Sequence, residues 1–390
     1  MPKLNGPIVI AGAGPAGSSL AIHLRNLGLQ VMLVERCKFP RAKLCGEFIS
    51  PECLKHFDEL GVLDEMLAAG GDRIYETVFY ETAGRNISVP SRWFDDGGLA
   101  LSLSRARMDE ILLDAARATG AAVLDETTVT GLIKTNGSVT GVKVRDSSGV
   151  TREVPASMTV DATGRGRVLS RMADKSAAHK EPKPRFVGFK AHLRGVNMTR
   201  GRCEIYAFRG GYAGLSHVEN GEANLCFLAR ASLVLQESDA DGIFERLKKQ
   251  NARASATLAA AEKIHDWLAV SVPSFGANPQ PELNGLFAVG DSAAFVDPFT
   301  GSGMLLAVES AAALADCIAA SAGDMTAIRS RYRQIRETRF APRLNVSGMI
   351  RYVAYEPLLS RSVITALSLS TRLRRSLARR TRSTGPTESS

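Results

Sequence analysis

Apolar residues first cluster at Pro7-Ile8-Val9-Ile10-Ala11, a short buried strand. A helical pattern follows from Ala16 to Leu27 and stops at Gly28. Leu29 to Val34 is again continuously apolar and ends at Glu35. This reads as strand, helix, strand: one βαβ unit. Further along, helices are predicted over 51–60, from Arg105 through Ala118, over 241–251 and over Gly303–Ala320. Strands are predicted after Asp125, at 159–163 and at Leu286–Val289. Four β-rich runs, FVGFKAHL, CEIYAF, GYAGLSHV and ANLCFL, fill 186–228, and others lie near 74–90. From Pro357 to Arg380, leucines and isoleucines recur at helical spacing with arginines between them. Helices alternating with parallel-type strands, interrupted by a β-rich insertion, predict an α/β chain with a second domain.

Length supports that division, since 390 residues exceed what one simple core usually serves. Charged residues make up 23% and hydrophobic ones 45%, an ordinary globular balance. The charge is uneven. Residues 341–390 hold nine arginines and two glutamates, which is +7 of the net +9. Such a tail reads as a solvated end, a helix packed on the body, or a peripheral contact with an anionic membrane. No nucleic-acid motif accompanies it, so no nucleic-acid partner is expected. The six cysteines form no CxxC pair, which argues against zinc and for reduced thiols. No signal-like start and no apolar run near the roughly 20 residues of a membrane span are seen. A cytoplasmic protein is therefore expected.

The turn after the first strand is GAGPAG, with Gly12, Gly14 and Gly17. Gly12 permits the tight turn. Gly14 lets backbone approach a pyrophosphate at the helix N-terminus, beside Pro15 and Ala16. Gly17 lets helix pack on strand. Glu35 stands eighteen residues after Gly17, where an acid accepts bonds from an adenosine ribose. Motif, strands, helix and acid agree on dinucleotide binding. The next segment, RAKLCGEFISP, places Arg41 and Lys43 within reach of a phosphate.

Three more signals are spread along the chain. Leu103-Ser104-Arg105-Ala106-Arg107 opens a helix. Thr159-Val160-Asp161-Ala162-Thr163-Gly164-Arg165 ends a strand in an acid and a glycine. LNGLFAVGDSAAFVDPFTGSG, at 283–303, ends a strand at Gly290-Asp291 and opens a long helix through Asp297-Pro298 and a Thr-Gly-Ser-Gly run. In this order the signals resemble the FAD-dependent oxidoreductase superfamily of geranylgeranyl reductases, flavin halogenases and aromatic flavin monooxygenases. The resemblance spans about Gly6 to Asp316 and is weakest over 186–275. The Cys45-Gly46 pair and DPFTGSG are most similar to the geranylgeranyl-reductase-like branch. The halogenase WxWxIP pattern is absent, the only tryptophans being Trp93 and Trp267. The reductases' aromatic substrate signature is absent too, because no tryptophan follows Tyr212. A hydroxylase-type histidine does not follow Asp291, where Ser292-Ala293-Ala294 stands.

The resemblance implies a discontinuous Rossmann-like, glutathione-reductase-like FAD-binding domain over 1–73, 98–180 and 276–340. A β-sheet-rich substrate domain over 74–97 and 181–275 is inserted in it, and 341–390 forms a basic helical segment. It implies that Glu35 and Arg36 lie at the adenosine, Val129 at the adenine, and Arg105, Asp161 and Gly164 along the cofactor. Gly290 and Asp291 meet the ribitol. Pro298, Gly301, Ser302, Gly303 and Met304 lie at the flavin, where helix amides stabilise negative charge. Gly46 lets backbone approach the ring. Two roles are open for Cys45: a small neighbour of the isoalloxazine, or a proton donor or redox thiol, with Glu47 as an alternative acid. Tyr206, Tyr212 and His217 are candidate polar handles in a mainly apolar substrate pocket.

The expected activity is transfer of hydride from FAD to an activated double bond of an isoprenoid, polyketide or aromatic molecule. NAD(P)H or a partner protein supplies the electrons, since no second GxGxxG exists for a resident nicotinamide. The competing activity is a monooxygenase that hydroxylates such a molecule through a flavin C4a-hydroperoxide.

Overall fold

In a computed structural model, residues 4–94, 97–174, 184–344 and 355–380 are described. The strand Ile8–Ala11 sits at the centre of a five-stranded parallel sheet. Its neighbours are Val31–Val34 on one side and Met158–Asp161 on the other, with Ala122–Leu124 and Leu286–Ala288 at the edges. All four residues of Ile8–Ala11 are buried, as a strand covered on both faces requires. Helices Pro15–Asn26, Arg105–Ala118 and Gly303–Ala320 pack together beside it. Their Leu20, Leu112 and Leu305 join the main core. A three-stranded antiparallel sheet, Thr128–Thr135 with Ser138–Arg145 and Thr151–Pro155, was not foreseen as a unit.

The β-rich insertion is one eight-stranded sheet. Phe186–Arg194 is flanked on its outer side by the short strands Glu262–Lys263 and Leu268–Val272, and Phe186–Arg194, Ala223–Arg230, Gly211–His217 and Arg202–Phe208 pair antiparallel in turn. Arg202–Phe208 then pairs parallel with Glu76–Tyr80, which pairs with Asn86–Pro90. Successive side chains alternate between the two faces. Phe189, Tyr206, Phe208, Leu215 and Phe227 point toward helix Ala240–Gln250 and form a second core. Gly188, Ile205, Tyr212, Gly214 and Leu228 point the other way and line a cavity.

Two helices, Pro357–Leu369 and Thr371–Arg380, complete the described chain. Extended backbone at Ser370 separates them. Ile364 and Leu367 pack with Ile87 in a small apolar cluster, joined by Phe79, Val363 and Leu377. The amphipathic tail is therefore a strap across the outer strands, while Leu369 and Leu373 on it face outward.

The segment 43–47 joins the parallel sheet to the insertion. Glu47 has φ +55°, a left-handed conformation that costs a non-glycine residue roughly 1–2 kcal/mol. Its carboxylate is 1% exposed. Oε1 accepts from the backbone N–H of Arg105 at 2.7 Å and is paired with the Lys190 ammonium. Oε2 accepts from His192 Nε2 at 2.8 Å. Lys190 also donates to the Lys43 carbonyl at 3.3 Å, and Asn224 Nδ2 donates to the Cys45 carbonyl at 3.1 Å. Removing one partner of such a buried pair leaves an uncompensated charge. Glu47→Gln is expected to lower stability by about 3 kcal/mol or more, and Lys190→Met added to it should recover most of that loss. Chemical denaturation of the wild type, both single variants and the double variant checks this. Additive losses would show that the two side chains are not coupled.

Candidate functional site

A cavity of about 530 Å³ runs from the glycine turn, beneath segment 43–47, to the apolar face of the large sheet. Its first end is built by glycines. Gly12 has φ +101°, and a Cβ there would lie 2.4 Å from the Ala162 carbonyl oxygen. A Cβ on Gly17 would lie 1.9 Å from the Gly12 oxygen, so helix Pro15–Asn26 sits directly on the turn. Gly290, at φ +59°, brings the loop after Leu286–Ala288 against Ala16, whose Cβ would be 2.8 Å from a side chain placed there. Gly14 differs: the nearest atom to its Cβ position is Arg105 Nη2, 3.9 Å away. Gly14, Pro15 and Ala16 line the cavity.

Glu35 stands behind the glycine turn and does not itself line the cavity. Oε2 accepts from the Ala13 N–H and Oε1 from the Cys37 N–H, both at 2.9 Å. Each carboxylate oxygen keeps a second lone pair for a hydroxyl donor. The Thr127 N–H donates to the Glu35 carbonyl at 2.8 Å and brings the following strand alongside. Val129 on that strand packs in a separate small core and does not line the cavity. Arg36 is exposed and does not line it either.

Cations gather along the middle. Asp109 holds the Arg105 guanidinium through Nε and Nη2, each at 2.7 Å. Burial opposes the charge of Arg105, but Asp109 and a bond to Cys45 raise its pKa above the ordinary range. Arg41 is turned to Asp109 at 3.5 Å and Glu35 at 3.9 Å, so Lys43 is the cation of the pair that lines the cavity. Lys43 ends beside Gly164, whose Cβ position is 3.6 Å from its Nζ. Burial first, then Arg105 and Arg41, lower its pKa to about 8. Burial raises the Asp291 carboxyl above its ordinary range, partly offset by Lys43, Arg165 and Arg105. Arg165, which directly follows the Asp161–Gly164 motif, lines the cavity and lies over the Phe295 ring at 5.3 Å.

Asp161 is a correction. It is fully buried and does not line the cavity. Oδ1 accepts from the Thr163 N–H at 3.1 Å, the Thr163 hydroxyl at 2.6 Å and the Ser292 hydroxyl at 3.1 Å. Oδ2 accepts from the Ser170 N–H at 2.8 Å and hydroxyl at 2.7 Å. It pins the loops that carry Gly164 and Asp291 and has no capacity left for a ligand.

At the far side of segment 43–47 the walls recede. A Cβ on Gly46 or on Gly303 would meet nothing within 4 Å. Asp297 accepts from the Phe299 N–H at 2.9 Å and the Tyr212 hydroxyl at 3.0 Å, which fixes the turn before helix Gly303–Ala320. Pro298, Gly301, Gly303 and Met304 line the cavity. Ser302, the residue that caps this helix, is buried outside it. Open space at two glycines beside a helix N-terminus, a cation cluster and a glycine turn fits an extended dinucleotide with a planar ring system.

Cys45 lines the cavity, and its Sγ accepts from the Glu47 N–H at 3.4 Å. Cys226, also in the lining, is pushed up to about 12 by burial and by Cys45, so it is a thiol at neutral pH. Glu47 cannot serve as the alternative acid. Burial opposes its charge, yet the bond from His192 and the charge of Lys190 hold its carboxyl below the ordinary range. It carries no proton to give at neutral pH.

Of the three candidate handles, only Tyr212 reaches the cavity. Burial, then Asp297, raises its hydroxyl well above the usual phenol range. Tyr206 lies on the opposite face of the sheet and donates to Glu204 Oε2 at 2.7 Å, beside Arg253. His217 also faces away, its Nε2 bonded to the Met198 carbonyl at 3.0 Å. Lys190, His192 and Asn224 were missed. Their one visible signal is polar residues at even positions of strands that otherwise read as apolar.

Comparison with known proteins agrees with this geometry. A digeranylgeranylglycerophospholipid reductase of Methanosarcina mazei is 27% identical over 331 residues, covering 83% of this chain and 77% of the relative. The flavin-dependent halogenase rdc2 of Metacordyceps chlamydosporia is 26% identical over 348 residues, covering 82% and 66%. Among solved structures, the flavin-dependent brominase Bmp2 superposes with a TM-score of 0.80 at 20% identity, covering 96% of this chain and 93% of that one. A geranylgeranyl bacteriochlorophyll reductase-like protein of Thermoplasma acidophilum gives 0.73 at 21%, covering 96% of each chain. The profile described as FAD binding domain matches residues 6–339, so this chain belongs to that family and is an FAD-dependent oxidoreductase.

Proposed function

We propose that the protein reduces an activated double bond of a hydrophobic small molecule, an isoprenoid, polyketide or aromatic compound. NAD(P)H or a partner protein is the electron source. The observation that carries this reading is the continuity of the cavity, from a dinucleotide cradle to an apolar wall of Phe79, Ile205 and Leu228. When bound, FAD supplies the two-electron chemistry.

The chain's own residues do the rest. Gly14 and the N–H groups behind it receive the pyrophosphate, with Lys43 and Arg105 as counter-charges. Glu35 accepts from the adenosine ribose and Asp291 from the ribitol. The N-terminus of helix Gly303–Ala320 favours negative charge at the ring edge beside it. The sheet and the strap exclude water from the apolar half. Addition of hydride to a double bond also consumes a proton. Cys45 and Cys226 are cavity-facing protic groups, and Glu47 fixes the loop that presents Cys45. The reductases among the relatives support this reading, while the halogenases support the competing, oxygen-using one.

Three outcomes are expected. Gly14→Val should fold, because its Cβ has 3.9 Å of clearance, yet hold at least about tenfold less FAD. Gly17→Val should fail to fold. Absorbance near 450 nm together with thermal melting separates the two, and full flavin content in Gly14→Val would refute the cradle.

FAD affinity should depend on Lys43. A lysine whose pKa is lowered to about 8 in the free protein must take up a proton to meet a pyrophosphate. Affinity is then flat below about pH 7 and weakens above about pH 8, with one proton taken up per FAD on the alkaline side. Calorimetry in buffers of different ionisation enthalpy reads this, and Lys43→Met should abolish the uptake.

Finally, holoenzyme and NADPH are incubated under argon and in air with a panel of isoprenoids and alkylphenols. Product mass distinguishes gain of about 2 Da, expected with and without oxygen, from gain of about 16 Da in air alone. The second result would assign the protein to oxygen insertion instead.

A further inference from the structure

The cations that line the cavity are not all at the dinucleotide end. Lys43, Arg105 and Arg165 are grouped there, but Arg374, on the second helix of the strap, lines the opposite end. Between them the wall is apolar: Phe79, Ile205, Ile87, Ile364 and Leu367. The guanidinium of Arg374 lies over the Trp93 ring at 5.5 Å, and Trp93 is 8% exposed. Arg379 Nε donates to the Trp93 carbonyl at 3.1 Å and fixes the helix on that side. Arg374 itself is weakly held. Its Nη2 has only the Thr371 hydroxyl at 3.5 Å, and its Nε is buried without an acceptor among the described residues. Helix Thr371–Arg380 contains no acid, and Arg372, Arg375 and Arg379 on it are exposed, so the helix itself is cationic.

A buried guanidinium N–H without an acceptor costs free energy unless a ligand completes it. At the end of an apolar channel, that ligand is the anionic terminus of an amphiphile. We propose that Arg374 selects substrates that carry a carboxylate or phosphate at the end opposite the reacting group. The proposal rests on the hydrophobic-substrate reading above. The spacing follows from the strands. Phe79 stands 5.5 Å from Phe299 in the turn at the ring space, and Ser91, two residues before Trp93, bonds to Tyr75. Phe79 to Tyr75 is four strand residues, about 13 Å at roughly 3.3 Å each. A chain of about twelve carbons spans that distance and defines the probe.

The test uses FAD-loaded full-length protein and equilibrium dialysis below micellar concentrations. The probes are dodecanoate, dodecyl phosphate and 1-dodecanol, with inorganic phosphate as competitor. Both anions should bind about tenfold or more tightly than the alcohol, as a charge-assisted bond implies. Arg374→Met should bring both anions to the level of dodecanol and leave dodecanol itself within about twofold. Arg375→Met, at an exposed position, should leave the preference intact, as should Arg374→Lys, which keeps the charge should the methionine variant lose its flavin.

Equal affinity of acid and alcohol in the wild type overturns the proposal, and so does a preference that survives Arg374→Met. Displacement of dodecyl phosphate by low millimolar inorganic phosphate would also overturn it, by marking a free-anion site. Failure of all three amphiphiles to bind despite full flavin absorbance would instead sink the hydrophobic-substrate reading beneath it.

Discussion

Glu47 is where the two halves of the molecule are joined. Its carboxylate takes one donor from the start of helix Arg105–Ala118 and two from strand Phe186–Arg194 of the large sheet. The residue sits at positive φ, a strained conformation for a side chain of its size. The ion pair offsets that strain, and next to it a Cβ on Gly46 would meet nothing within 4 Å. Lys190 and Asn224 of the large sheet also hold the Lys43 and Cys45 carbonyls, so the same seam positions the loop. A cavity walled by the parallel sheet on one side and the large sheet on the other needs such a fixed seam.

The parts that were legible in the sequence are those whose constraint is local. Gly12, Gly17 and Gly290 stand where a Cβ would strike a backbone or side-chain neighbour, and the motif around the first two states that directly. The long helix after DPFTGSG begins and ends where its composition says. Asp161 shows the limit. A strand ending in an acid reads as a ligand, but five hydrogen bonds from Thr163, Ser170 and Ser292 occupy it, and Ser170 is nine residues away.

The large sheet was legible as strands and illegible as faces. Both sides are buried, one by helix Ala240–Gln250 and the other by the cavity wall, so polar alternation is nearly lost. With period two, an error of one position sends a side chain to the wrong side. Tyr206 and His217 fell on the wrong side and Tyr212 on the right one. Lys190 and His192 share the parity of Gly188, but only their distant partner Glu47 gives them meaning, and a single sequence does not display that pairing.

The strap is also a matter of order along the chain. Every residue of the dinucleotide cradle lies before helix Gly303–Ala320 ends, whereas Val363, Ile364, Leu367 and Leu377 come later. During synthesis every residue of the cradle thus emerges before the helices that cover Ile87 and Phe79. The apolar compartment becomes a compartment only when the last helices emerge and settle. Cofactor capture can then precede closure, and a growing chain that already holds its dinucleotide offers those last helices a finished surface to close on.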